Sequence, residues 1–301
     1  MTNITPNQFS VMNSARTLSK PNLISCIFGG FFNQGAWMVL LIGSLIAWNF
    51  VPLADLSSIF SSGENIQKGS GTIVESTSTG ATGKSSDSKT SGHIVENRFT
   101  YVIKGETFES TSYGLNETLA PGDELKIEHP LAHPERAVIV GMRANTYSPQ
   151  VLLVLIIPLL GMILSYFAIK RSLRLVNLLK QGEIAFASMV GKEGTNTTIN
   201  EQPVYRYTFE FSDKLGNKCK TKVSTHHSGI FTYSGDPEAR KERVLYDPKN
   251  PSYAKLLDLL PNGVRFDISD KLLRGRMPIA ILILPGITVW VNVYRALKFL
   301  I

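Results

Sequence analysis

Three long apolar runs divide this chain of 301 residues, and between them the hydrophobic positions change rhythm. Residues 31–51 (FFNQGAWMVLLIGSLIAWNFV), 151–168 (VLLVLIIPLLGMILSYFA) and 277–293 (MPIAILILPGITVWVNV) carry no charged side chain. At ~1.5 Å of rise per residue, about twenty such residues cross a ~30 Å hydrocarbon layer. A helix apolar on every side lacks the solvated face of an amphipathic core helix. The pattern therefore predicts transmembrane helices near residues 31–51, 150–169 and 277–295. The first competes with a cleaved signal peptide. Its only small-residue cleavage candidate is Ala54, with Pro52 where a second small residue should stand, which favours a retained helix. The third is short and holds Pro278, Pro285 and Asn292, so it needs neighbouring helices to satisfy its freed backbone groups, or else it is re-entrant or interfacial.

Elsewhere the period falls to two. In the stretch 52–149, strand signals stand at 71–75, 98–104 (RFTYVIK), 106–113, 123–128 and 136–142, punctuated by Gly and Pro. Residues 76–92 (STSTGATGKSSDSKTSG) are too poor in apolar side chains to offset the entropy of ordering them, so they read as a mobile loop or a hairpin connection. Between 170 and 276, strands are expected at 183–190, 204–212 (VYRYTFEFS), 218–224, 243–246 and 253–259. Residues 170–181 keep helical spacing, and no breaker intervenes before Gly182, so this basic stretch is expected to prolong the second helix rather than lie on the leaflet. Residues 1–24, with Pro6 and Pro21, read as a polar, irregular part of a tail ending at residue 30; residues 296–301 form a short second tail.

Charge gives these blocks a sidedness. The whole chain carries +7. Residues 52–148 hold 8 basic and 12 acidic side chains, whereas residues 170–276 hold 19 basic and 12 acidic. Arg16 and Lys20 precede the first run, and Lys170, Arg171, Arg174 and Lys180 follow the second. A positive-inside bias puts the N-terminus and the 170–276 block in the cytoplasm and the acidic 52–149 block outside. Trp37, Trp48 and Tyr147 suit the headgroup level. The basic excess lies beside membrane boundaries without an arginine-and-aromatic platform, so no nucleic acid is expected as partner. Cys26 and Cys219 fall in different segments and imply neither a disulfide framework nor a metal pair.

The two strand blocks repeat one design. Each opens on glycine, Gly71–Thr72–Ile73–Val74 and Gly182–Glu183–Ile184–Ala185, and each has an aromatic alternating strand followed by a glycine reversal at Gly105 or Gly216. Each closes with a strand running into proline, Leu125–Lys126–Ile127–Glu128–His129–Pro130 and Val244–Leu245–Tyr246–Asp247–Pro248. Pro134 then precedes Ala137 as Pro251 precedes Ala254. Proline cannot supply the next ladder hydrogen bond, so the motif ends a strand and shapes a turn. The pattern Gly182–Glu183, Pro203–Val–Tyr–Arg–Tyr207–Thr–Phe–Glu–Phe211 and Val244–Leu–Tyr–Asp–Pro–Lys–Asn–Pro–Ser–Tyr–Ala254 resembles the bacterial membrane proteins grouped as "domain of unknown function 3592". The earlier block, with Tyr101, Ser112–Tyr113–Gly114, Gly122–Asp–Glu–Leu–Lys–Ile–Glu128, Ala137 and Gly141–Met–Arg143, is similar to the other half of two-domain members, with His129 a departure before Pro130. The resemblance covers residues 31–261. It implies a small all-β domain beside transmembrane helices and carries over no catalytic residue.

Candidate chemistry is sparse. His129 and His133 have the separation of two zinc ligands, but Pro130 and Pro134 oppose the helix that would align them, and ordinary turn residues are expected. His226 and His227, near Cys219, point to opposite faces of a strand. Tyr205, Tyr207, Phe209 and Phe211 share one strand face, and the core of a small barrel is a better home for them than a stacking platform. Asn33, Gln34 and Asn292 are the strongly polar residues of the apolar runs. No catalytic, cofactor or metal site is expected. The expected fold class is an α+β membrane protein, with three transmembrane helices and two similar small all-β domains, barrel- or sandwich-like, between them. The expected setting is the bacterial cytoplasmic membrane with the N-terminus inside, and the expected partners are the lipid bilayer and a protein partner or second copy. The expected function is non-enzymatic: partner binding or assembly on both sides. The alternatives are a regulatory subunit of a membrane enzyme such as a protease, or a small channel or transporter subunit.

Overall fold

The computed structural model describes residues 16–57, 65–84, 91–199, 201–225, 241–275 and 279–300. The apolar runs form α2 (Phe31–Phe50), α3 (Ile156–Gln181) and α4 (Ala280–Leu300), preceded by a short α1 (Lys20–Phe28). A single 3₁₀ turn extends α2 through Leu53, and a seven-residue 3₁₀ segment from Pro149 introduces α3. The helical candidates Phe31–Leu53, Pro149–Gln181 and Ala280–Leu300 are long and apolar enough to cross a membrane. The basic stretch 170–181 does prolong the second helix. The third helix is longer than its composition suggested. It takes Pro285 into its interior and continues through Leu300, beyond the expected end at 295.

Helix α1 corrects the irregular reading of residues 20–24, while residues 16–19 are irregular as expected. Pro21 stands in the first turn, where a missing N–H costs nothing and the fixed φ suits the helix, and the Ser19 side chain accepts from the Asn22 N–H. The proline taken as a breaker is a starter.

The first block folds as a five-stranded antiparallel sheet: β1 (Ile66–Lys84), β2 (Ser91–Ile103), β3 (Glu106–Leu115), β4 (Glu124–Pro130) and β5 (Val138–Ile139), in the order β3-β2-β1-β4-β5. The second block gives β6 (Glu183–Ile199), β7 (Gln202–Ser212), β8 (Lys218–Thr225), β9 (Lys241–Asp247) and β10 (Asn250–Leu256), in the order β10-β9-β6-β7-β8. The order is the same in both. The opening strand is central and pairs with the second and fourth, while the third and fifth are edges. The glycine reversals also match: Gly105 has φ 84° and Gly216 has φ 84°, a left-handed backbone that other residues reach only with strain.

The register of the repeat holds at the small inward residue. The Ser110 hydroxyl on edge strand β3 donates to the Ala137 carbonyl at 2.7 Å, and the Thr221 hydroxyl on edge strand β8 donates to the Ala254 carbonyl at 3.1 Å. Hydroxyls thus tie the two edges of each sheet to one another. Inside the first sheet lie Ile73, Phe99, Tyr101, Ile127, Ala137 and Ile139. Inside the second lie Ala187, Tyr207, Phe209, Phe211, Val244, Tyr246, Ala254 and Leu256.

The Ser/Thr/Gly stretch is corrected as well. Residues 76–84 continue β1 and residues 91–92 begin β2, paired through Ser78↔Val95 and Thr82↔His93. Only residues 85–90 of that stretch lie outside the described residues. Backbone pairing needs no apolar side chain, which is why composition misjudged the segment.

The chain divides into two compact units, one of residues 1–38 and 161–290, the other of residues 39–160 and 291–301. In the latter, the segments entering and leaving the first sheet are stitched together: Asp55 donates its N–H to the Tyr147 carbonyl at 2.7 Å, and its carboxylate accepts from the Ala144 N–H at 3.0 Å. Here α2 also meets α3 closely, since a Cβ on Gly43 would lie 2.6 Å from the Pro158 nitrogen.

Candidate functional site

In the unit containing the second sheet, helix α3 passes into the central strand through one residue. The Gly182 N–H donates to the Leu178 carbonyl at 2.7 Å, closing the helix, and β6 begins at Glu183. A Cβ on Gly182 would lie 2.3 Å from that carbonyl oxygen, so no side chain fits. The next residue is held by the side chains of two residues that are themselves joined. The Tyr246 hydroxyl donates to the Glu183 carboxylate at 2.7 Å, the Lys214 ammonium reaches the same carboxylate at 2.7 Å, and the Lys214 N–H donates to the Tyr246 oxygen at 3.2 Å. Burial first, then the Glu183 carboxylate, pushes the Tyr246 hydroxyl pKa well up, so it stays a donor. Such a charge-assisted bond contributes ~1.5–3 kcal/mol. Glycine opening and Tyr-Asp-Pro turn are therefore two halves of one joint.

The N-terminal segment locks this joint. The Arg16 guanidinium donates to the Gly182 carbonyl at 2.6 Å, and its backbone N–H donates to the Lys180 carbonyl at 2.8 Å. The same guanidinium lies 5.6 Å from the Phe266 ring centre, and burial lowers its pKa. Asn22, buried in α1, donates to the Leu273 carbonyl and accepts from the Gly275 N–H, each at 2.8 Å. Cys26, Leu175, Leu178, Leu179, Leu245 and Phe266 then form a second core outside the sheet. Burial pushes the Cys26 thiol up to about 11, leaving it a neutral packing residue at ordinary pH.

Where α1 gives way to α2, this arrangement leaves a cavity of about 620 Å³. Part of the lining is apolar, with Phe31 and Phe32 from the start of α2 and Ala168 and Leu175 from α3. The lining also holds three cations, Arg171 on the same helix, Lys222 from β8 and Lys255 from β10; none of the described lining residues is acidic. The cavity opens along the seam where edge strands β8 and β10 are joined by the Thr221 hydroxyl. Burial, with the Arg171 charge adding to it, lowers the Lys255 pKa. Three cations held together without a carboxylate among the lining residues can receive an anion.

The residues singled out in the sequence go elsewhere. His129 is buried in β4 with its ring nitrogen 3.1 Å from the Pro130 carbonyl, so it is a strand residue rather than a turn residue. His133 sits in the turn, 3.1 Å from the Glu135 carboxylate. His226 and His227 lie outside the described residues. Cys219 is half-buried on β8, opposite Phe211, and its thiol lies 3.6 Å from the Asn217 carbonyl. Among the described residues no group of three or more His, Cys, Asp or Glu could hold a metal ion. Tyr207, Phe209 and Phe211 are buried in the second sheet's core, and Tyr205 packs against them. Asn33 donates to the Ser172 hydroxyl at 3.1 Å, Gln34 to the Ile281 carbonyl at 3.0 Å, and the Trp48 indole to Asn292 at 3.1 Å. These polar groups of the apolar runs each join one helix to another.

The cavity escaped the sequence reading because its cations come from a helix and from two strands that meet only when the sheet curls. Of the three cations, Arg171 stood out in the sequence, as a charge at the end of an apolar run, whereas Lys222 and Lys255 carried no local mark.

Fold and site together define an α+β protein with two five-stranded antiparallel sheets and three helices long and apolar enough to span a membrane. Comparison with protein-family models, with curated proteins and with solved structures finds no match.

Proposed function

We propose that this chain is an integral protein of a bacterial cytoplasmic membrane, spanning it three times, whose β modules hold protein partners or support assembly on the two sides. The observation that carries this reading is the uncovered apolar surface of the helices: their most apolar windows are only 22%, 17% and 11% buried. Leu153, Ile156, Leu159, Met162, Phe167, Ile283, Trp290 and Val293 stand exposed. A water-soluble monomer rarely leaves so much contiguous apolar surface bare, whereas lipid covers it at no cost. The clasp of Arg16 and Asn22 onto the second module supports placing the N-terminus and that module on one side, and the positive charge there makes it the cytoplasmic side.

In this reading the sheets are small barrels with hydroxyl-tied seams, and the long ribbons β1–β2 and β6–β7 carry the exposed partner surfaces. The hydrogen bond of Tyr246 to Glu183 supports treating the segments that resemble the "domain of unknown function 3592" pattern as scaffold. The test has two steps. Membranes containing the full chain are washed with alkaline carbonate, and the protein is expected to remain in the pellet. The detergent-solubilised protein, carrying photocrosslinkers at Thr77 and Glu193, is then expected to give discrete protein adducts or a defined homo-oligomer. Release into the wash would refute the bilayer reading, and a protein without adducts would refute the partner reading.

A further inference from the structure

We propose that the basic cavity of the second module is a binding site for the phosphate-bearing headgroup of an anionic lipid from the adjoining leaflet. The inference rests on the bilayer reading above and adds a ligand to it. The lining combines two chemistries. Phe31, Phe32 and Ala168 belong to the ends of apolar helices, and Phe31 is almost wholly exposed. Arg171, one turn beyond Ala168 on α3, and Lys222 and Lys255 from the sheet edges line the same cavity. A lipid presents that same change of polarity over the same short distance, with acyl chain first and phosphate next.

Size agrees with the assignment. A volume of about 620 Å³ is ample for a phosphoglycerol group and falls within the ordinary range of small-ligand sites. Electrostatics agrees as well, because burial and the neighbouring Arg171 charge both disfavour the charged form of Lys255. An anion beside the Lys255 ammonium would offset both effects. The phosphate chemistry is shared by free phosphate. The lipid source is favoured because Phe31, Phe32, Ala168 and Leu175 of the apolar helices line the same cavity, side chains that a free ion would leave unused.

The experiment uses the full chain in neutral detergent and follows binding of fluorescent phosphatidylglycerol, with phosphatidylcholine and inorganic phosphate as competitors. The expected result is saturable binding that phosphatidylcholine and millimolar phosphate fail to displace. The double variant K222Q/K255Q should bind about 25-fold more weakly, roughly fivefold for each lost charge near an anionic headgroup. The control K218Q/K220Q removes the same amount of charge from β8 alone, at lysines whose ammonium groups lie 3.4 and 3.6 Å from Glu210. It should change affinity less than about threefold. Ser224→Glu keeps all three cations but adds a carboxylate to the lining, and it should abolish binding even if Lys255 proves necessary for folding.

Equal losses in the two lysine pairs would reduce the effect to general surface charge and overturn the site. Displacement by micromolar phosphate would move the site to a soluble anion and overturn the lipid assignment. Neither result touches the bilayer reading, which stands or falls by the carbonate wash.

Discussion

Replacing Gly182 by valine is expected to cost the second module on the order of 3 kcal/mol, the upper end of what an overpacked site usually loses. For a module of roughly 100 residues this corresponds to a fall of roughly 10–20 °C in the thermal midpoint. The reason is local. The first atom of any side chain would sit 2.3 Å from the Leu178 carbonyl oxygen and 3.0 Å from the Leu178 and Leu245 methyl groups. The nearest obstacle is backbone, which cannot rotate aside as a side chain can. Relief would require moving α3 away from β6, and that movement would break the Arg16 bond to Gly182 and shift Glu183 from Tyr246. Cys26 supplies the readout, because it lies in the core that α3 shares with Leu245 and its thiol is inert while that core is closed. Its labelling rate by a thiol reagent in detergent should rise in step with the lost stability. Gly194→Val on the same strand is the control, since a Cβ there meets nothing within 4 Å, and it should shift the midpoint by no more than a surface substitution. Equal stability of the two variants would show that the helix does not enter the strand through this joint.

The same joint shows how far the sequence could be read. Gly182, Glu183 and the Tyr-Asp-Pro turn were recognisable as parts of a repeated motif, and β7 was legible because Tyr205, Tyr207, Phe209 and Phe211 recur at the strand period. What could not be read was their meeting. Glu183 and Tyr246 are directly paired across β6 and β9, but nothing local announces which strand lies beside which. Helix α1 was missed for a related reason: Pro21 is either a breaker or a first-turn residue, and only the Ser19 cap decides between them. The apolar helices were legible because hydrophobicity needs no partner to be expressed. The end of α4 was not, since the stretch holding Lys298 looks like a tail until the helix is seen to pass through it.

The cavity marks the limit of such reading. Lys218, Lys220 and Lys222 alternate on one face of β8 and look equivalent in sequence. Glu210 on β7 engages the first two, whereas the third stands where β8 approaches β10. Position along an edge strand, set by how tightly the sheet curls, separates a solvated charge from a lining one. A function carried by a seam is therefore written in the curvature of the sheet, and curvature leaves little trace in the residue pattern.

An impermeant maleimide applied to intact cells is expected to label T77C and to miss E193C, in a chain otherwise freed of cysteine by C26S and C219S. Permeabilised cells should label both. Both reporter positions are exposed, so access to the compartment, not burial, governs the outcome. The argument is one of parity. Asn22 and Arg16 bind directly to residues of the second module, so the segment before α2 and the module after α3 share a compartment. Two helices long and apolar enough to cross a membrane, α2 and α3, lie between them, and Thr77 belongs to the module between those helices. Crossing by both helices puts Thr77 on the other side, and the excess of lysine and arginine around the second module keeps that module inside. Labelling of E193C alone would preserve the crossings but invert the orientation. Labelling of both from outside would mean that α2 and α3 do not each cross, and the exposed apolar surface of these helices would then have to be covered by protein.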